Sequence, residues 1–153
     1  ADSSKITSII FDGVYCNSEV WVNGHFLGKR PNGYIGFQYN MTPYLKYGDQ
    51  TNELIVKVDN NQQPNSRWYS GSGIYRNVWL ETTDKLHVAQ WGTYITTPKV
   101  TPEKAQVQIE TTLKNQYETP KKAIIITTIF KGGKTTLSGY SHRCWRCTSI
   151  CGI

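Results

Sequence analysis

Ser18-Glu19-Val20-Trp21-Val22-Asn23-Gly24-His25-Phe26-Leu27-Gly28-Lys29 holds two strand-like runs joined by Asn-Gly. A two-residue type I′ turn needs φ > 0 at both central positions, and Asn and Gly reach that region at the least steric cost. The stretch predicts a β-hairpin. Upstream, Ile6 to Phe11 is an apolar, β-branched run that reads as a buried strand. Downstream, Arg30-Pro31-Asn32-Gly33 reads as a loop and Ile35 to Asn40 as a short strand. Thr42 to Gly48 reads as one helical turn, with Thr42 as cap, Pro43 in the first helical position and Gly48 as terminator.

The same pattern continues. Glu53 to Val58 places Leu54, Val56 and Val58 on one face. Ile74 to Glu81 places Tyr75 and Trp79 on one face and Ile74, Val78 and Leu80 on the other. Leu86 to Ala89, Thr93 to Thr97, Ala105 to Leu113 and Ala123 to Phe130 are further strand patterns, with Pro98, Pro102 and Pro120 between runs. No helix of ordinary length is predicted. The fold class expected is all-β, built as sandwich.

Between two strands lies Asp59 to Gly73, rich in Asn, Gln, Pro, Ser and Gly around Arg67-Trp68-Tyr69. Loops of this length inside compact domains are often functional. Two readings stay open for Trp68 and Tyr69: they face a ligand, or they anchor the loop by packing under it.

Composition bounds the rest. The chain has 153 residues, a mass of 17.4 kDa and a formal charge of +6. It is too short for a (β/α)₈ barrel, which takes roughly 200 residues. Charged residues at 18% with aromatics at 12% argue against wholesale disorder. No apolar run approaches the roughly 18 residues of a membrane helix, so no membrane partner is expected. Ala1 to Lys5 shows no basic region leading into an apolar stretch, so no signal peptide is read. Lys131, Lys134, Arg143 and Arg146 put +4 on the acid-free residues 131–153 and leave +2 on the rest, so no nucleic-acid footprint is expected.

The residues resemble a known family. Phe11-Asp12-Gly13-Val14-Tyr15, Glu19-Val20-Trp21-Val22-Asn23-Gly24-His25 and, above all, Arg67-Trp68-Tyr69-Ser70-Gly71-Ser72-Gly73-Ile74-Tyr75-Arg76-Asn77-Val78-Trp79-Leu80 look like glycoside hydrolase family 2, in its bacterial β-galactosidase-like form. The resemblance covers about residues 6–130. It implies a partial jelly-roll sugar-binding domain over 1–84 and the start of an immunoglobulin-like β-sandwich over 85–130. It also implies a parent enzyme that hydrolyses terminal β-linked sugars with retention and whose (β/α)₈ barrel carries two catalytic glutamates. That barrel is absent here and is an expected partner, together with carbohydrate. A periplasmic or secreted parent is favoured, and no cofactor is expected.

Carried over residue by residue, the loop before the Gly-Ile-Tyr-Arg block makes Asn65, Arg67 and Trp68 the sugar-proximal candidates. Trp68 would stack on an apolar sugar face while Arg67 or Asn65 bonds hydroxyls. The other reading packs Arg67 and Trp68 against the barrel. Arg76 is expected to pair structurally. No catalytic residue is assigned, because glycoside hydrolysis needs two carboxyl groups about 5–9.5 Å apart across the scissile bond and the acids here are scattered.

Residues 131–153 depart from the family. The strand pattern stops at Phe130. Gly132-Gly133-Lys134-Thr135-Thr136 hints at a phosphate loop, but Thr128 stands where that motif needs Gly. The tail reads as non-native or disordered sequence. Alternatives are a Cys₃His zinc site of His142, Cys144, Cys147 and Cys151, or disulfides that also use Cys16.

Overall fold

The computed structural model describes residues 2–62, 71–131, 134–144 and 148–152, with side chains as far as Phe130. The chain divides into two units, residues 1–84 and 85–153.

In the first unit, β1 (Ile6–Phe11) is flanked by β5 (Phe37–Asn40) and β8 (Val78–Thr83), both antiparallel to it. All six residues of β1 are buried, as a central strand rich in isoleucine requires. The hairpin forms where the sequence places it: β3 (Ser18–Val22) pairs with β4 (His25–Arg30) across Asn23-Gly24, whose φ values are 49° and 83°. Gly24 holds that angle without the penalty a Cβ would bring. On its other edge β3 pairs with β6 (Leu54–Lys57). A two-stranded ladder, β2 (Val14–Tyr15) with β7 (Gly73–Ile74), completes the unit.

Burial alternates along β3, with Ser18, Val20 and Val22 inward. Val20 and Val22 join Ile9, Phe11, Val14, Phe37 and Met41 in one buried cluster. The Phe11 and Phe37 rings stack at 5.0 Å. The sandwich is closed where β4 meets β5. Val56 of β6 packs against this cluster, but at Leu54 of β6 and along β8 the inner face stays exposed among the described residues. Leu54 stands opposite buried Val22, and Leu80 opposite buried Ile9, yet Leu80 is 69% exposed.

Two expectations need correction. The helical turn is a 3₁₀ turn over Thr42–Tyr44, and Thr42 does not cap it. Its hydroxyl is taken instead by β1: the Thr7 amide donates to Thr42 Oγ1 at 2.8 Å, and Thr42 Oγ1 donates to the Thr7 carbonyl at 3.3 Å. The single strand expected from Ile74 to Glu81 is two strands. The chain leaves β2 and joins β1, and the crossover is held by Tyr75 N–H to Gly13 O at 3.3 Å and Asp12 N–H to Asn77 O at 3.0 Å.

In the second unit, β10 (Ala105–Asn115) lies between β9 (Leu86–Val100) and β13 (Thr148–Gly152), while β11 (Lys122–Lys131) pairs with β12 (Lys134–Cys144). The runs 86–89 and 93–97 belong to one strand. It is broken by a bulge in which Trp91 takes φ 51°. Ile109 and Thr111 of β10 are buried. An apolar cleft of about 550 Å³ is lined by residues that include Ile95, Val107, Ile109, Ile125 and Ile129.

Strands do not stop at Phe130. β12 pairs with β11 from Lys134 to Cys144, and β13 pairs with β10. Ser138-Gly139-Tyr140-Ser141-His142-Arg143-Cys144 has no apolar alternation to announce a strand. The partner ladder makes it one.

Candidate functional site

The long loop after β6 is the candidate. The residues expected to lie near sugar, Asn65, Arg67 and Trp68, fall within 63–70, outside the described residues. The structure describes the frame that carries them.

Both ends of the loop are tied. Asp59 donates its amide to the Cys16 carbonyl at 3.2 Å, and Asn17 Nδ2 donates to the Asp59 carbonyl at 3.0 Å. Asn61 N–H donates to Asp59 Oδ1 at 3.1 Å, a local turn that starts the loop. Asn60 Nδ2 then donates to Ser72 Oγ at 3.1 Å. The two flanks of the loop, at Asn60 and Ser72, therefore meet at one place. The β2–β7 ladder continues directly from that closure, with Tyr15 opposite Gly73.

Beside the closure stands a group of three tyrosines from three segments. Tyr15 and Tyr34 meet edge to face at 5.3 Å. Tyr75 lies over Gly13, so that a Cβ at residue 13 would sit 2.6 Å from the ring. Its hydroxyl donates to the Gly33 carbonyl at 2.8 Å. Gly13 is thus needed for a close approach, and Tyr75 links the Arg30–Gly33 loop to the crossover. Trp79 Nε1 donates to Asp12 Oδ2 at 2.9 Å just below. The sequence reading missed these tyrosines. The available signal was Gly13 and Gly33, each with a tyrosine close by in the chain.

Arg76 is exposed, and among the described residues no ion pair involves it, so the structural pairing expected of it is not seen. Among the described residues no three His, Cys, Asp or Glu side chains gather as a metal centre would require. His142 and Cys144 lie on β12 and Cys151 on β13, while Cys147 falls outside the described residues. Several of the described carboxylates are tied to donors: Asp2 to Ser4, Asp12 to Trp79, Glu19 to Lys29, Glu81 to Gln38, and Asp84 to Lys5.

The frame has clear relatives. Beta-galactosidase BoGH2A of Bacteroides ovatus is 54% identical over 129 residues, which is 84% of this chain. A putative beta-glucuronidase of Formosa agariphila is 44% identical over 118 residues, 77% of this chain. The chain spans only 15% and 11% of the length of these relatives. A crystal structure of a glycosyl hydrolase family 2 member from Bacteroides cellulosilyticus matches with a TM-score of 0.86 at 34% identity, covering 98% of this chain and 20% of that one. Residues 2–84 match the model of the glycosyl hydrolases family 2 sugar binding domain. On that match and these identities, the chain belongs to glycosyl hydrolase family 2.

Proposed function

We propose that this chain is a non-catalytic part of a β-galactosidase-like enzyme that hydrolyses terminal β-glycosidic bonds, and that it contributes the sugar-binding module and the start of the next sandwich. The observation that carries this reading is the 54% identity to a β-galactosidase of which the chain spans 15%. The two opposed carboxyl groups of a glycosidase belong, on this reading, to a barrel outside this sequence. That barrel and a β-linked carbohydrate are the partners. The pure chain should release no nitrophenol from p-nitrophenyl β-D-galactoside or β-D-glucuronide. Turnover that scales with chain concentration and survives repurification contradicts the reading.

A second reading is a stand-alone carbohydrate-binding module. It is favoured by the match of residues 2–84 to a sugar binding domain. Here the Asn65 to Tyr69 loop would hold sugar without any barrel.

A further inference from the structure

The outward face of the β4–β3–β6 sheet is ordered in two rows. Glu19 and Trp21 both point away from the core, since Ser18, Val20 and Val22 point into it. The register places Lys29 and Lys57 on either side of Glu19, and Phe26 and Ile55 on either side of Trp21. The first row is an ion triad, with Lys29 Nζ 3.0 Å from Glu19 Oε1 and Lys57 Nζ 3.9 Å from Glu19 Oε2. The second row is apolar. The Trp21 and Phe26 rings lie 5.3 Å apart, with Phe26 53% and Ile55 46% exposed.

A β-bulge builds this arrangement. The register shifts between Val20, opposite Gly28, and Trp21, opposite Phe26. The extra residue, Leu27, packs against the core cluster and lets Phe26 stand beside Trp21 on the outside. Bulges recur at sheet edges, as here on β4, and next to active sites, where they re-aim a side chain.

Two rows on alternate residues of one strand lie about 7 Å apart. That separation suits a pyranose whose C–H face rests on the rings while its hydroxyls reach the next row. Glu19 can only accept and the lysines can only donate, so together they complement hydroxyls, which do both. Polar groups placed beside aromatic surface are how small-molecule sites fix orientation. A protein partner fits less well, because Lys and Glu are depleted from the cores of protein interfaces.

We infer that this face is a second carbohydrate site, holding an oligosaccharide against Trp21 and Phe26 with its hydroxyls on Glu19 and Lys29. It uses no residue of the 63–70 loop and stands apart from the proposed role of that loop. The test is a titration of the ¹⁵N-labelled full 153-residue chain with β-1,4-galactotetraose, following the five indole N–H signals, with Trp21 assigned through Trp21→Phe. The Trp21 signal should move saturably, and exposed Phe26→Ala should weaken that binding at least fivefold without lowering the melting temperature. Glu19→Gln should weaken it about as much. A Trp68 signal that moves while Trp21 stays still overturns the second site and leaves the loop reading intact. Stillness of all five overturns both. A Trp21 signal that depends on protein concentration instead of sugar marks a protein interface and also overturns the proposal.

Discussion

Asn60 Nδ2 donates to Ser72 Oγ at 3.1 Å, joining the two ends of the loop that carries Asn65, Arg67 and Trp68. A loop closed at its base loses less entropy on binding a ligand than one hinged freely. Ser72→Ala removes that one bond and leaves the ties of Asp59 and Gly73 in place. It should weaken any sugar bound by the loop by about fivefold, the equivalent of one hydrogen bond of about 1 kcal/mol, while the melting temperature moves little. Calorimetric titration of both proteins checks this.

Tyr75 and Gly13 give a paired prediction on stability. Tyr75→Phe keeps the ring over Gly13 and loses the bond to Gly33, costing about 1 kcal/mol. Gly13→Ala places a methyl 2.6 Å from that ring and should cost about 1–3 kcal/mol, as overpacking does. Urea midpoints of the two variants should therefore rank Gly13→Ala below Tyr75→Phe.

Asn23 joins the hairpin turn to the start of β6. Its side chain donates to the Tyr44 carbonyl at 2.7 Å and to Asn52 Oδ1 at 2.8 Å, and it accepts from Glu53 N–H at 3.0 Å. Its φ of 49° is also one that Asn tolerates better than most residues. Asn23→Ala loses both features and should cost about 2 kcal/mol or more. Asn23→Gly restores the turn geometry and should recover part of that loss. Thermal unfolding of the three proteins separates the two contributions.

These particulars show how far the sequence is legible. The hairpin at Asn23-Gly24, the buried β1 and the half-buried β10 follow from local turn chemistry and alternation. Thr42 misleads because its hydroxyl has a better partner 35 residues away in Thr7, and no local rule ranks the two. The break at Tyr75 to Asn77 is hidden because both halves read as strand, and only the change of partner from β2 to β1 divides them. The tyrosine group is only hinted at by Gly13 and Gly33, because the contact itself joins Tyr75 and Gly33 across 42 residues. Family motifs, in contrast, name the loop directly.

Tyr39 gives the chain a pH signature. Burial raises its hydroxyl above the ordinary tyrosine range, and the charge of nearby Arg30 opposes that only in part. The folded state thus favours the neutral phenol. The resulting stability is complete below the ordinary tyrosine value near 10 and is lost as pH climbs from there through the raised value. Urea midpoints should fall as pH rises above about 10, and Tyr39→Phe should flatten that fall. An equal fall in both proteins would assign it to other groups.

The measurement that bears most directly on the account is a calorimetric titration of the chain with methyl β-D-galactoside, repeated on Trp68→Ala. A sugar-binding part of a family 2 enzyme should bind it saturably and weakly, and Trp68→Ala should reduce the affinity at least tenfold. No saturable binding, or binding that Trp68→Ala leaves untouched, would contradict the assignment of sugar binding to this loop.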